Sequence, residues 1–351
     1  MNTISVTADR DYEVVIDINW QKAIEPYLTN RGQVAVIVSE AMRDRIVNLP
    51  VTDAQIHIFT VPDSEAGKSF ATYQKVLDWL GAAGFTRNDL VVAVGGGAVT
   101  DLSGFVASSW LRGIDWVAVP TTLASMVDAA VGGKTGINSE YGKNLIGSFY
   151  SPISVLVDLS WLETLSDRDF AAGLAEVIKC GFIVDTEIVE LLKDRNLLEV
   201  RGDRDLTLEL ITRSIAVKAK VVSGDFKESF DREILNYGHT LGHAIELHSK
   251  YTLRHGECVS IGLVFAANLA NQSGILADQA TDLHEKILSN LGLPTSYESR
   301  HWPELRANMA IDKKSRSGTL RFVAISEFGK TLRIEAPSES DLLAAYERLC
   351  S

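Results

Sequence analysis

Four of the seven histidines in this 351-residue chain lie in one stretch, LNYGHTLGHAIELHSKYTLRHGE, from Leu235 to Glu257. Helical periodicity from Asn236 onward puts His239 and His243 one turn apart on a single face. His255 follows a break at Tyr251-Thr252, so it comes from a separate segment folding back. Two imidazoles one turn apart plus a third from elsewhere suit a divalent cation, zinc best of all. The helix alone does not choose the ligands, because His239, His243 and Glu246 share its face. A lone histidine is ordinarily a satisfied core or surface residue, and His57, His248, His284 and His301 are read that way. HExxH is absent, which disfavours a zinc protease of that type.

Glu176 and Lys179 stand three residues apart in AAGLAEVIKCGF, a helical stretch that is otherwise small and apolar. Burying either charge unpaired would be costly, so the pair wants a metal, a substrate or each other. Further cations occur at Lys134 and Lys143 in glycine-rich loop contexts, at Lys218 and Lys220, at Arg232, and in Asp312-Lys313-Lys314. Each lysine taken singly is most simply a solvated surface group.

The apolar run LVVAV leads straight into Gly95-Gly96-Gly97-Ala98-Val99-Thr100-Asp101 and then a helical stretch. Glycines there let backbone approach a phosphate, and the helix N-terminus adds free N–H groups and a favourable dipole. Thr100 occupies the place of the third glycine of GxGxxG, yet the position after a buried strand favours a dinucleotide pyrophosphate. Gly132-Gly133-Lys134-Thr135 imitates the end of a P-loop, but Asp128 replaces the first glycine, which disfavours a nucleoside triphosphatase.

These residues need scaffolds of two kinds. Short β-branched runs at Tyr12–Ile16, Gln33–Val38, Ile56–Val61, Leu90–Val94, Trp116–Val119 and Ile153–Val157 alternate with helical patterns such as Lys68–Leu80. That predicts βαβ units and a mostly parallel, doubly wound sheet. Beyond about Ser160 the chain reads as amphipathic helices at Phe170–Phe182, Asp205–Val222, Asn236–His248, Ser260–Gln272 and Asp278–Leu291, with a hairpin at Leu320–Ile334 turning at Phe328-Gly329. The expected architecture is an α/β N-terminal Rossmann-like domain over 1–160 and a mainly α-helical C-terminal domain over 161–351.

A net charge of −12 argues against a protein that grips nucleic acid through its overall field. Three scattered cysteines without CxxC suit a reducing compartment. No apolar run reaches the roughly 18 residues of a membrane span, and the first residues lack the pattern of a secretion signal. A cytoplasmic protein is expected.

The motifs GGGAVTDLSGFVASSWLRG, VPTTLASMVDAAVGGKTGIN, GKNLIGSF, GLAEVIKCGFI, LNYGHTLGHAIE, RHGE and DKK, in this order, resemble the 3-dehydroquinate synthase family from about Pro62 to Lys314. The resemblance implies an N-terminal Rossmann-like domain with a helical C-terminal one. It also implies conversion of 3-deoxy-D-arabino-heptulosonate 7-phosphate to 3-dehydroquinate and phosphate in the shikimate pathway. NAD is used catalytically, together with zinc or cobalt.

By the family pattern the metal ligands are Glu176, His239 and His255, with His243 assigned to the substrate. Asp128, Lys134, Lys143, Asn144, Lys179, Lys218, Arg232, Asn236 and Lys314 match other substrate positions, as suits a carboxylate- and phosphate-bearing substrate. Glu65, Lys68, Gly96, Gly97, Asp101, Thr121, Thr122, Thr164 and Leu165, with Lys134 and Lys143, match cofactor positions. Arg112 matches an arginine that reaches the neighbouring active site of a homodimer. Asp169 stands where the family pattern has a glutamate. Sister sugar-phosphate cyclases would differ at positions 218, 236 and 243. A polyol dehydrogenase would have no use for so many cations, and a silent binding protein would not need Glu176, His239 and His255 together.

Overall fold

The computed structural model describes residues 2–228, 230–315 and 320–350, with side chains left out over 311–315. It forms two compact units, Met1–Leu165 with Lys218–Lys227, and Ser166–Val217 with Glu228–Ser351. The return of Lys218–Lys227 to the first unit is a feature that a division at residue 160 does not contain.

The first unit contains β1 (Asn2–Val6), β2 (Tyr12–Ile16), α1 (Trp20–Ala23), α2 (Glu25–Leu28), β3 (Gln33–Ser39), β4 (Gln55–Val61), α3 (Phe70–Ala82), β5 (Leu90–Gly95), α4 (Gly97–Ser109), β6 (Asp115–Pro120), β7 (Lys134–Ser139), β8 (Gly142–Phe149) and β9 (Ser154–Val157). Seven strands form one sheet in the order β1-β2-β9-β6-β5-β3-β4, with only the β1–β2 pair antiparallel. Every residue of β5 is buried, and all but the first of β3, the mark of central parallel strands covered on both faces. From β3 the chain goes outward to β4 and then crosses to β5 on the other side of β3. That reversal opens a crevice at the carboxyl ends of β3 and β5, where such sheets bind ligands.

Lys134 and Lys143, expected in loops, lie instead on β7 and β8, an antiparallel ribbon pairing Lys134 with Phe149 and Ile137 with Ile146. Gly136 and Gly147 face each other so closely that a Cβ on Gly147 would lie 2.2 Å from the Thr135 carbonyl oxygen. The glycines that read as loop are therefore what lets two backbones meet.

The second unit contains α5 (Asp167–Ile183), α6 (Thr186–Leu192), α7 (Leu197–Gly202), α8 (Arg204–Gly224, whose end belongs to the first unit), α9 (His239–His248), α10 (His255–Gln272), α11 (Asp278–Asn290), α12 (Trp302–Ser315), β10 (Arg321–Glu327), β11 (Lys330–Glu335) and α13 (Glu339–Glu347). Ser166 caps α5 by accepting from the Asp169 N–H. Every residue from Phe170 to Ile183 in α5, and from Gly256 to Ala270 in α10, is buried. Helices buried on every side are central ones: α10 packs against α5, α9, α11 and α13, and α5 also against α6. The β10–β11 hairpin turns at Phe328-Gly329, with Gly329 at φ 82°.

Two expected bounds change. The helix expected from Asn236 begins at His239, because Gly238 adopts φ 79° and Asp231–Asn236 forms a 3-10 turn. The helix expected from Ser260 begins at His255, with Glu257 accepting from the Arg254 N–H at 2.7 Å.

Candidate active site

His239 is the first residue of α9, His255 the first of α10, and Glu176 lies in the middle of α5. Glycines bring the three helices together. A Cβ on Gly256 would lie 1.8 Å from the Ala172 carbonyl oxygen, and one on Gly262 would lie 1.9 Å from that of Gly238. One donor atom each from Glu176, His239 and His255 fall within 4.8 Å of one another.

His239 Nδ1 lies 3.1 Å from the Tyr237 carbonyl oxygen, which can only accept, so Nδ1 carries the proton. Its Nε2 lone pair then faces Glu176 Oε1 at 3.5 Å. Two acceptors facing each other call for a cation between them. His255 Nε2 stands 3.3 Å from the same oxygen, and its Nδ1 is 3.5 Å from Glu246 Oε2. Lys179 Nζ lies 2.5 Å from Glu176 Oε2, yet neither carboxylate oxygen receives a well-directed hydrogen bond.

Burial alone would raise the Glu176 carboxyl, but the Lys179 ammonium and His239 outweigh it and hold the group well below the usual carboxylate range. Burial, then Lys179, lowers His239. Burial would lower His255 too, but the Glu176 and Glu246 carboxylates beside its two ring nitrogens push it up to about 10. A proton on His255 thus balances charge in the cluster, and a divalent cation there displaces it. Two imidazoles and a carboxylate fit the protein ligands of a catalytic zinc-type ion. A second set, His243, Glu246 and His255, also converges. Its His243 is exposed, whereas Glu176 is 2% exposed, so the desolvated first set gains more from a cation.

Near these groups in sequence, Lys179 and Arg232 are 1% exposed, and Asn236 Nδ2 donates to Glu228 Oε1 at 2.8 Å. The His243 ring centre is 5.2 Å from that of His239 and 5.8 Å from that of His255. Lys314 falls in α12, with its side chain outside the described residues. Sequence reasoning passed over Tyr237, whose carbonyl sets the His239 tautomer. It also passed over Arg168, which makes two bonds of 2.6 and 2.7 Å to the α10-capping Glu257. Asp169 accepts from Arg254 Nε at 2.7 Å. The glutamate at the third position of α10 was a readable capping signal, hidden because an arginine precedes the helix where Ser or Thr is usual.

The remaining expected residues belong to the first unit. Gly96 caps α4 at the carboxyl end of β5. A Cβ on Gly96 would come 3.1 Å from Thr122 Cγ2, and one on Gly97 would come 3.1 Å from the Ala129 Cβ. This is a backbone cradle at a helix N-terminus, suited to a pyrophosphate. Lys68, 2% exposed, donates to Asp101 Oδ2 at 2.6 Å and to Asn144 Oδ1 at 2.5 Å. Lys143 Nζ is 3.2 Å from Glu65 Oε1, and Asn138 Nδ2 donates to Glu65 Oε2 at 2.7 Å. Burial raises the Asp101 carboxyl despite Lys68. Burial would raise Glu65 too, but the ammonium groups of Lys68 and Lys143 bring it below its usual value.

Thr121 is buried and its N–H donates to the Gly95 carbonyl oxygen at 3.0 Å, so 121 and 122 flank the cradle. Lys218, on the end of α8, pairs directly with Asp128. Lys134 is exposed at the start of β7. Thr164 Oγ1 donates to the Trp161 carbonyl oxygen at 2.7 Å, and the Leu165 N–H to that of Leu162 at 3.2 Å. Arg112 is exposed after α4, at φ 67°.

Residues 58–172 match the 3-dehydroquinate synthase N-terminal family and residues 173–315 its C-terminal counterpart. The chain belongs to the 3-dehydroquinate synthase family. A 3-dehydroquinate synthase of Corynebacterium diphtheriae is 47% identical over 99% of each chain. Among solved structures, a 2-epi-5-epi-valiolone synthase from Streptomyces hygroscopicus, with NAD+ and Zn2+ bound, superposes with a TM-score of 0.90 at 26% identity, over 99% of this chain and 98% of that one. A 2-deoxy-scyllo-inosose synthase complexed with carbaglucose-6-phosphate, NAD+ and Co2+ gives 0.87 at 26% identity over 99% of each. Family membership makes the chain an enzyme, with the expected pairing of an α/β domain and a mainly helical one.

Proposed function

We propose that this enzyme converts 3-deoxy-D-arabino-heptulosonate 7-phosphate to 3-dehydroquinate and phosphate, with recycled NAD and one divalent cation, zinc or cobalt. The family assignment supports the reaction, and the ligands of the two cyclases of similar fold support the cofactors. The observation that carries the site is the buried Glu176 carboxylate facing the His239 lone pair with no well-directed hydrogen bond to either oxygen.

Glu176, His239 and His255 would hold the cation, which when bound supplies Lewis-acid polarisation of the substrate C5 oxygen. The cradle at Gly96 and Gly97, together with Glu65, Lys68, Asp101, Thr121, Thr122, Thr164 and Leu165, would hold NAD, which takes and returns the hydride. Lys134, Lys143, Asn144, Asp128 and Lys218 of the first unit would bind the anionic substrate, as would Lys179, Arg232, Asn236 and Lys314 of the second. Lys179, held beside Glu176, keeps positive charge in a desolvated place where a substrate oxyanion needs it. His243, exposed beside the cation ligands, is placed to share the proton removed during phosphate elimination.

The enzyme would work as a homodimer, with Arg112 serving the neighbouring copy. Support comes from Leu111 and Arg112, consecutive non-glycine residues at φ 49° and 67°, a conformation costing roughly 1–3 kcal/mol per residue and concentrated at functional sites. We place the enzyme in the cytoplasm on its three cysteines, scattered through the sequence without a CxxC spacing. No helix among the described residues is long and apolar enough to cross a membrane.

The deciding experiment follows phosphate release from 3-deoxy-D-arabino-heptulosonate 7-phosphate with absorbance at 340 nm in the same cuvette. Phosphate over many turnovers without net NADH is expected. NADH accumulating with a polyol, and no phosphate, would reassign the chain to a dehydrogenase.

A further inference from the structure

We propose a second divalent-cation site, separate from the one above and formed by His248, His301 and Glu304. His248 ends α9, His301 ends the 3-10 turn Ser299–His301, and Glu304 lies in the first turn of α12. Three different segments thus converge, with one ligand atom from each within 4.8 Å of the others. Glu304 Oε2 is 2.8 Å from His248 Nε2 and 3.9 Å from His301 Nδ1. Ligands at about 2.0–2.1 Å around a tetrahedral zinc ion lie about 3.3 Å apart, and these two spacings bracket that value. The imidazole centres are 4.3 Å apart and tilted by 53°, so the rings lie side by side without stacking flat.

The outer contacts are those of metal-binding histidines. His248 Nδ1 lies 2.8 Å from the Tyr297 hydroxyl, which can accept its N–H and leave Nε2 as the ligand atom. His301 Nε2 lies 3.8 Å from Glu298 Oε2, a carboxylate placed to take the N–H of that ring when Nδ1 binds a cation. Arg300 Nε now points at His301 Nε2 from 3.4 Å. Arg300 also pairs with Glu298 at 2.7 Å and is exposed, so it can yield that place. Both imidazoles are largely covered while Glu304 is 68% exposed, giving two fixed ligands and one that closes over the ion. Two imidazoles and a carboxylate select zinc or a similar borderline divalent ion over calcium or magnesium. The bound ion would staple the end of α9, the helix that opens with His239, to the start of α12.

The test counts zinc. Untagged protein is stripped with a chelator and titrated with zinc chloride, alongside His301→Ala, Glu304→Gln and His239→Ala. The wild type should take up two equivalents and each variant one, with phosphate release retained in His301→Ala and Glu304→Gln. Equal uptake by the wild type and His301→Ala overturns the proposal, whether one equivalent or two. One equivalent in the wild type, kept by His239→Ala and lost from His301→Ala, upholds this site and removes the proposed catalytic one.

Discussion

Glu176 and His284 are both buried titratable groups, and their surroundings give them opposite consequences. Around Glu176 the positive partners outweigh burial, so the carboxylate stays ionised and attracts a cation. Glu176→Gln keeps the shape and removes the charge. Protein dialysed after this change should hold one equivalent of zinc fewer than the wild type, with affinity at this site down by more than about 100-fold, since even outer partners of metal ligands are worth 10–100-fold. Retention of that equivalent would reassign the ligands to the His243, Glu246 and His255 set. His243→Ala should slow phosphate elimination while metal content survives, and unchanged turnover would remove His243 from the chemistry. His284, 0% exposed, has no compensating charge, and burial pushes it down to about 4 from 6.5. The unfolded chain takes the proton first, so this contribution to stability is complete above about pH 6.5 and is lost as pH falls toward 4. The slope is about 1.4 kcal/mol per pH unit. Between pH 7 and 5 the wild type should therefore lose about 2 kcal/mol more than His284→Gln in urea unfolding. Parallel profiles would show that His284 is protonated in the folded state.

At the scale of elements, the site depends on how closely α10 can lie against α5 and α9. Helix periodicity predicted where α5 and α9 present their polar groups, since 239, 243 and 246 share a face by spacing alone. It could not say that the chain at 256 and 262 has no room for a methyl group. Those contacts link residues 84 and 24 positions apart, and no local pattern records them. Gly262→Ala should push α9 and α10 apart, with overpacking costing about 1–3 kcal/mol or more. Calorimetry should show a lowered Tm, and the equivalent of zinc held with His239 should be lost even though no ligand has changed. A variant with wild-type Tm and metal content would show that the helix contact is not what holds His239 in place. The capping Glu257, clamped by Arg168, acts at the same junction by ordering the first turn of α10, where His255 sits.

For the whole molecule, the proposed homodimer makes Arg112 a test of assembly as well as of catalysis. Arg112→Ala should raise KM for the phosphorylated substrate by tenfold or more, as losing a charge-assisted pair worth about 1.5–3 kcal/mol predicts. Mixing it with Lys179→Ala should restore part of the activity through mixed dimers; no recovery in a sample that sediments as mixed dimers would confine Arg112 to its own subunit. The sequence by itself determined the fold class, because strand and helix periods are local consequences of which faces are apolar. It also carried the family, through long motifs in order, and so the reaction. Residue spacing supplied the candidate ligands but not the choice among them, since His239, His243 and Glu246 are equivalent on a helical wheel, and only the family pattern singled out Glu176, His239 and His255. Tertiary structure decided which acceptors face each other away from water. That choice depends on backbone approach at Gly256 and Gly262, on the Tyr237 carbonyl that fixes a tautomer, and on the charges gathered around one buried carboxylate. All are relations between segments distant in the chain, set by packing rather than by spacing.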